Sequence, residues 1–321
     1  EVQGTTTIEL TPTVDLRSFT FDLVGFDVTA VAVNGASASF GRPTDKLRIT
    51  PPQPLPAGVA ASVRVACSGK PSGQGLGGWY WSKGEGALYA PQPAGASRLF
   101  PCNDHPSDKA TFAIRVTAAA DDTVVANGRL VGTEPLAGGA RTRWKFDQTD
   151  PMATYLVQVA VGDYEVVEST GPGGLPLRHA IVRSVPAAQR TVLDETAAQI
   201  EFFSSKFGAF PLDTYGVLVA DAPPELALET QTLTLLPASW LSDSVEFTSA
   251  VLAHELAHQW FGDAVTPASW TDIWLNEGFA TYAEYVWREH HEGRDAADLE
   301  LDEWAHSYFG EDGGRYRRTI A

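Results

Sequence analysis

Two histidines four residues apart enclose a glutamate in the run His254-Glu255-Leu256-Ala257-His258. On a helix, positions four apart share one face a single turn apart, so both imidazoles can hold the same cation. Zinc suits them: it takes nitrogen donors at about 2.0 to 2.1 Å, and a catalytic zinc uses three protein ligands and a water. Glu255, beside the first histidine, can face that water and accept its proton. Only two cysteines occur, Cys67 and Cys102, which excludes a disulfide scaffold and a cysteine-built metal site. Any metal must rest on histidines and carboxylates.

Trp274-Leu275-Asn276-Glu277 offers the third ligand, Glu277, with eighteen residues between it and His258. A metzincin would need Gly at position 261 and His at 264, where the chain has Phe261 and Ala264, so that class is rejected. A carboxylate on a second helix remains. A carboxylate behind a ligand histidine commonly fixes the imidazole's orientation, and Glu284, seven residues after Glu277 on the same helix face, is placed for it.

With these residues the chain resembles the aminopeptidase N family of zinc metallopeptidases, in the gluzincin group. The match runs through His-Glu-Leu-Ala-His-Gln-Trp-Phe-Gly-Asp (254–263), Trp274 to Ala280 and Tyr282. It continues in Phe100-Pro101-Cys102-Asn103-Asp104-His105-Pro106-Ser107-Asp108-Lys109-Ala110-Thr111-Phe112, similar to that family's marker in its β domain, and in Ala227-Leu228-Glu229-Thr230-Gln231, where the family carries its exopeptidase motif. The resemblance implies one zinc ion on His254, His258 and Glu277, with Glu255 as general base. It implies that Glu229 binds the free α-amino group of a peptide, that Ala227 meets the substrate backbone, and that Gln92, in Pro91-Gln92-Pro93, lines the pocket for the first residue. An ammonium held a set distance from the metal admits one residue before the scissile bond.

The chain departs from the family's common form at Leu226 and Thr230, where Gly and Asn are usual. The family's oxyanion-stabilising tyrosine is expected beyond Ala321, since Tyr308 and Tyr316 come too early after His258. Losing one such donor costs about a hundred- to a thousand-fold in rate. Two other readings therefore stay open: a catalytically weak peptide-binding or scaffold fragment of the same fold, and the zinc epoxide hydrolysis carried out by some relatives.

The supporting elements follow from pattern. The 321 residues suggest about two domains. Short alternating runs rich in Val, Thr and Phe fill the first half and read as strands, among them Phe19 to Val24, Ala61 to Cys67 and Thr154 to Ala160. Beyond the pair at Tyr164 to Glu168 and Leu177 to Val182, helical spacing predicts helices over Ala187 to Phe207, over Leu275 to His290 and over Arg294 to Phe309. The metal-bearing helix is expected to begin near Asp243, whose spacing to Glu246 is that of a capping box, and to end at Gly262. The expectation is a multidomain chain: an N-terminal all-β, sandwich-like domain over 1–162, then a thermolysin-like α+β catalytic domain over 163–321, incomplete at its C-terminal end.

A net charge of −17 disfavours nucleic acid and anionic lipid but suits a cationic peptide terminus. No apolar run reaches about 18 residues, and Glu1 to Leu10 is no signal peptide. Two cysteines without a signal favour a cytoplasmic setting, with a secreted one as the alternative if an export signal has been removed. Because the chain starts at Glu1 and its single methionine is Met152, it reads as the middle of a longer protein.

Overall fold

A computed structural model describes residues 2–70, 77–82, 86–136, 138–221 and 227–310. In strand Ala61–Gly69 the buried Ala61, Val63, Val65 and Cys67 alternate with more exposed residues, the two-residue period of a strand with one wet face. It lies in an antiparallel sheet ordered Val2–Leu10, Ala61–Gly69, Asp27–Val33, Ala36–Ser37. A second sheet, Phe19–Asp22, Lys46–Thr50 and Ser39–Gly41, packs Phe21, Leu47 and Ile49 against Val31, Val63 and Val65 of the first. This is a β-sandwich.

Two further antiparallel sheets follow. One joins Lys109–Ala119, Arg141–Ala153 and Arg129–Pro135; the other orders Thr123–Ala126, Val159–Gly162, Gly86–Ala90 and Gly78–Ser82. Val124, Ala126, Phe146 and Val159 form the apolar layer they share.

The last sheet changes character. Tyr164–Thr170 and Pro176–Val182 pair antiparallel, after which Val217–Ala220 and Thr234–Pro237 add in parallel. Those two strands are buried at every position, as parallel strands covered on both faces should be. Helix α1 (Thr196–Phe207) and helix α2 (Val245–Ala257) join their core, and α3 (Trp274–Glu292) and α4 (Arg294–Gly310) follow. An N-terminal β-rich part thus precedes an α+β part. One apolar cluster runs through both, from Leu88, Val125 and Ala160 to Leu235, Leu252, Leu256 and Trp287. Among the described residues, no helix is long and apolar enough to cross a membrane.

Three local expectations are corrected. Thr154 to Ala160 is not one strand: Thr154–Leu156 is a short 3-10 turn and the strand begins at Val159. Thr154, Tyr155 and Leu156 are all buried, so no alternation separated turn from strand. Ala187 to Phe207 is two 3-10 turns followed by α1 from Thr196. The cap of α2 is Ser244, whose hydroxyl accepts from Phe247 N–H at 3.1 Å, so Asp243 lies one residue outside it, and the helix ends at Ala257 with His258 as its C-cap, short of the expected Gly262.

Candidate active site

Helix α2 places His254 and Glu255 in its last turn and His258 at its C-cap. The chain then turns sharply through Gly262, at φ +135°, where a Cβ would come within 2.9 Å of Asn276 Nδ2 and 3.3 Å of His258 Nδ1. Only glycine lets that turn lie against both side chains. It returns through Trp270–Asp272, capped by Ser269, to α3, whose first turn carries Glu277.

The three expected ligands converge. His254 Nε2 lies 3.4 Å and His258 Nε2 3.8 Å from Glu277 Oε2, and the three donor atoms all lie within 4.8 Å of one another. Tetrahedral ligands at zinc's bond lengths stand roughly 3.4 Å apart, so the set is close to what the ion needs and would tighten around it. The opposite ring nitrogens are occupied: His254 Nδ1 meets Glu284 Oε1 at 2.5 Å, and His258 Nδ1 donates to the Phe261 carbonyl at 3.1 Å. Each ring is thereby oriented with Nε2 turned to the common centre.

Electrostatics agree. Burial opposes charge on His254, but hydrogen bonds with Glu277 and Glu284 outweigh it and raise its pKa to about 10. A proton thus sits where a cation would neutralise these carboxylates. Burial lowers His258 to about 4, helped by the neighbouring His254. The hydrogen bond to His254 holds Glu277 below its usual range against partial burial. Burial pushes the Glu255 carboxyl up, opposed by His254 and reinforced by Glu229, Glu277 and Glu284. Its Oε2 is buried without a hydrogen-bond partner, a costly state for a group with no further contact to make.

Glu229 is almost fully buried in the segment that bridges to the sheet through Leu228 and Leu235. Burial raises its pKa. Gln92 Nε2 donates to Glu229 Oε1 at 3.1 Å, joining residues 137 apart in sequence. Ala227 is half-buried against the core. Tyr308 is exposed on α4, while Leu226 and Tyr316 lie outside the described residues.

Several neighbours were not singled out from sequence. Tyr155, Asn276 and Asp263 are buried around the turn after His258, and Lys109 Nζ donates to the Asp263 and Ala264 carbonyls at 2.6 and 3.2 Å. Tyr155 packs its ring on Trp270 with centroids 4.8 Å apart. Lys109, Asp263 and Asn276 do stand inside the quoted motif segments, the one signal that could have found them.

Comparison with known proteins identifies the family. Residues 1–156 match the peptidase M1 N-terminal domain and residues 191–320 the peptidase family M1 domain. The M1 zinc metallopeptidase from Deinococcus radiodurans superposes with a TM-score of 0.84 at 34% identity, over 95% of this chain and 69% of that one. A mutant from the same organism, bound to a Tyr-Ser-Ala substrate, gives 0.85 at 34% identity over 95% and 70%. Endoplasmic reticulum aminopeptidase 1 of Homo sapiens is 32% identical over 260 residues, covering 75% of this chain and 27% of that protein. Probable M1 family aminopeptidase 1 of Encephalitozoon cuniculi is 32% identical over 255 residues, covering 74% and 29%. The chain spans under a third of the length of these two curated relatives. With both family domains matched and a His-His-Glu centre in place, the chain belongs to peptidase family M1, a family of zinc metallopeptidases.

Proposed function

We propose that this chain carries the centre of a zinc aminopeptidase that removes the N-terminal residue of peptides with a free amine. The observation that carries the reading is the convergence of His254 Nε2, His258 Nε2 and Glu277 Oε2 beside the unpartnered Oε2 of Glu255. One zinc ion held there would polarise a carbonyl and lower the pKa of water towards about 7. Glu255 takes the proton of the attacking water on Oε2 and delivers it to the leaving amine. Glu284 and the Phe261 carbonyl hold the two rings while this happens.

Glu229 receives the substrate's ammonium, steadied by Gln92, and Ala227 lies alongside the peptide backbone. A buried carboxylate without a cation is costly, and an arriving ammonium supplies the missing partner. The N-terminal residue is thereby fixed with its carbonyl carbon near Glu255, which limits cleavage to the first bond. The division into a β domain over 1–162 and a catalytic domain over 163–321 belongs to the same reading. A reducing, cytoplasmic setting accords with Cys67 and Cys102, both buried and unpaired.

Metal analysis of the purified chain, followed by hydrolysis of amino-acid anilides with and without chelator, tests the proposal. One zinc per chain, and turnover that chelator abolishes and added zinc restores, is the expected result. No bound zinc would remove the ligand assignment; zinc without turnover would remove the activity of this chain.

A further inference from the structure

Gln259 follows His258 directly and is fully buried, yet it touches neither the metal ligands nor Glu255 by any hydrogen bond. Its carboxamide reaches the segment that carries Glu229. Nε2 donates to the Glu229 carbonyl at 3.2 Å, and Oε1 accepts from Thr232 N–H at 2.8 Å. We propose that Gln259 is a positioning residue for amine recognition, tying the segment that carries Glu229 to the turn that leaves the ligand His258 at a fixed separation. The inference rests on Glu229 being the amine anchor.

The segment it holds needs holding. Leu233 N–H donates to the Thr230 carbonyl at 2.9 Å, closing a turn in which Thr232 has φ +65°. A left-handed backbone normally falls to glycine, and for a β-branched residue it costs about 1 to 3 kcal/mol unless the surroundings enforce it. Here they do. Beyond Gln259, Thr232 Oγ1 accepts from Gly128 N–H at 2.8 Å and donates to Gln148 Oε1 at 3.3 Å. Asn127 Nδ2 donates to the Gln231 carbonyl at 2.7 Å.

The turn is therefore clamped from two sides. Asn127, Gly128 and Gln148 belong to the β-rich part and Gln259 to the metal-bearing turn, so Gln259 alone in this set links the clamp to the ligands. One-residue cleavage depends on the distance between ammonium and scissile carbonyl, and a misplacement of about 1 Å can cost about a hundredfold. Gln259 is the side chain that sets it.

The test compares leucine hydroxamate with its desamino analogue, 4-methylpentanoic hydroxamate, both binding the zinc-loaded chain. Gln259→Glu keeps an acceptor for Thr232 but loses the donor to Glu229; Gln259→Met fills the space and loses both. The wild type should prefer the amine-bearing ligand, and each variant should lose about tenfold of that preference. Zinc content and affinity for the desamino ligand should stay within about twofold, which a general packing defect would not allow. Folded variants that keep the full preference overturn the inference, as does equal weakening of both ligands or unfolding of both variants. A wild type without any preference overturns the Glu229 assignment as well, and so separates the two failures.

Discussion

Glu284 Oε1 stands 2.5 Å from His254 Nδ1, on the face of the imidazole opposite the metal centre. The two residues lie thirty apart on α2 and α3. Their contact joins the helix bearing both histidine ligands to the helix bearing the carboxylate ligand, and it fixes which nitrogen His254 presents. Removing such a partner typically weakens metal binding about 10- to 100-fold. Glu284→Gln should lose zinc to a competing chelator at correspondingly lower chelator concentration, with helix content unchanged. Unaltered retention would show that the ring is held by packing alone.

Glu255 sits beside the ligands but contributes no donor atom to their cluster. Glu255→Gln should therefore keep its zinc and lose turnover by about a hundred- to ten-thousandfold, the usual worth of a positioned acid–base group. Zinc stoichiometry measured with kcat separates this from a ligand defect, in which both would fall together.

Gly262 carries two constraints at once, its φ of +135° and the close approach of Asn276 and His258. In Gly262→Ala the new methyl must displace one of them or the turn must open. A loss of about 1 to 3 kcal/mol in urea unfolding is expected, together with weaker zinc retention, because His258 Nδ1 is one of the displaced atoms. A fully stable variant with unchanged metal affinity would mean that the turn can relax freely.

His179, away from the metal centre, supplies one part of the pH dependence. It is buried in strand Pro176–Val182, where Nδ1 accepts from Val217 N–H at 3.2 Å, and burial, against a weaker pull from Asp194, lowers its pKa to about 4. The unfolded value is near 6.5. With the folded pKa below the unfolded one, the unfolded chain binds the proton first. Stability from the neutral ring is fully present above about pH 6.5 and is lost as pH falls towards 4, by about 3 kcal/mol in all. Denaturant midpoints across that window should fall less steeply for His179→Gln than for the wild type.

The legible and illegible parts of the molecule divide by range. His254, Glu255 and His258 stand on one local stretch of helix, where periodicity dictates which side chains share a face, whereas Glu277 on α3 came from the motif spacing and not from periodicity. The strand Ala61–Gly69 was readable from its alternation, while Arg129–Pro135 and Thr234–Pro237 were passed over. Thr234–Pro237 is buried at every position and has no alternation to betray it. Gln92 against Glu229, and Gln259 against Thr232, join segments far apart in the chain, and no periodicity encodes such contacts. The Ser244 cap was missed by one residue because Asp243 and Glu246 offered equally good spacing, and only backbone geometry chooses between them.

The apolar cluster that runs from Leu88 and Val125 to Leu256 and Trp287 makes the two parts of the chain one thermodynamic unit. A ligand that binds the folded chain alone stabilises everything that melts with it. Zinc occupancy should thus protect amides of strand Thr123–Ala126, which holds no ligand, as fully as those of α2. By the same reciprocity, a cavity cut at Val125 would be registered by the metal as a higher dissociation constant. The β-rich half is in this sense a remote determinant of metal affinity, and loss of zinc would be an early symptom of damage within it.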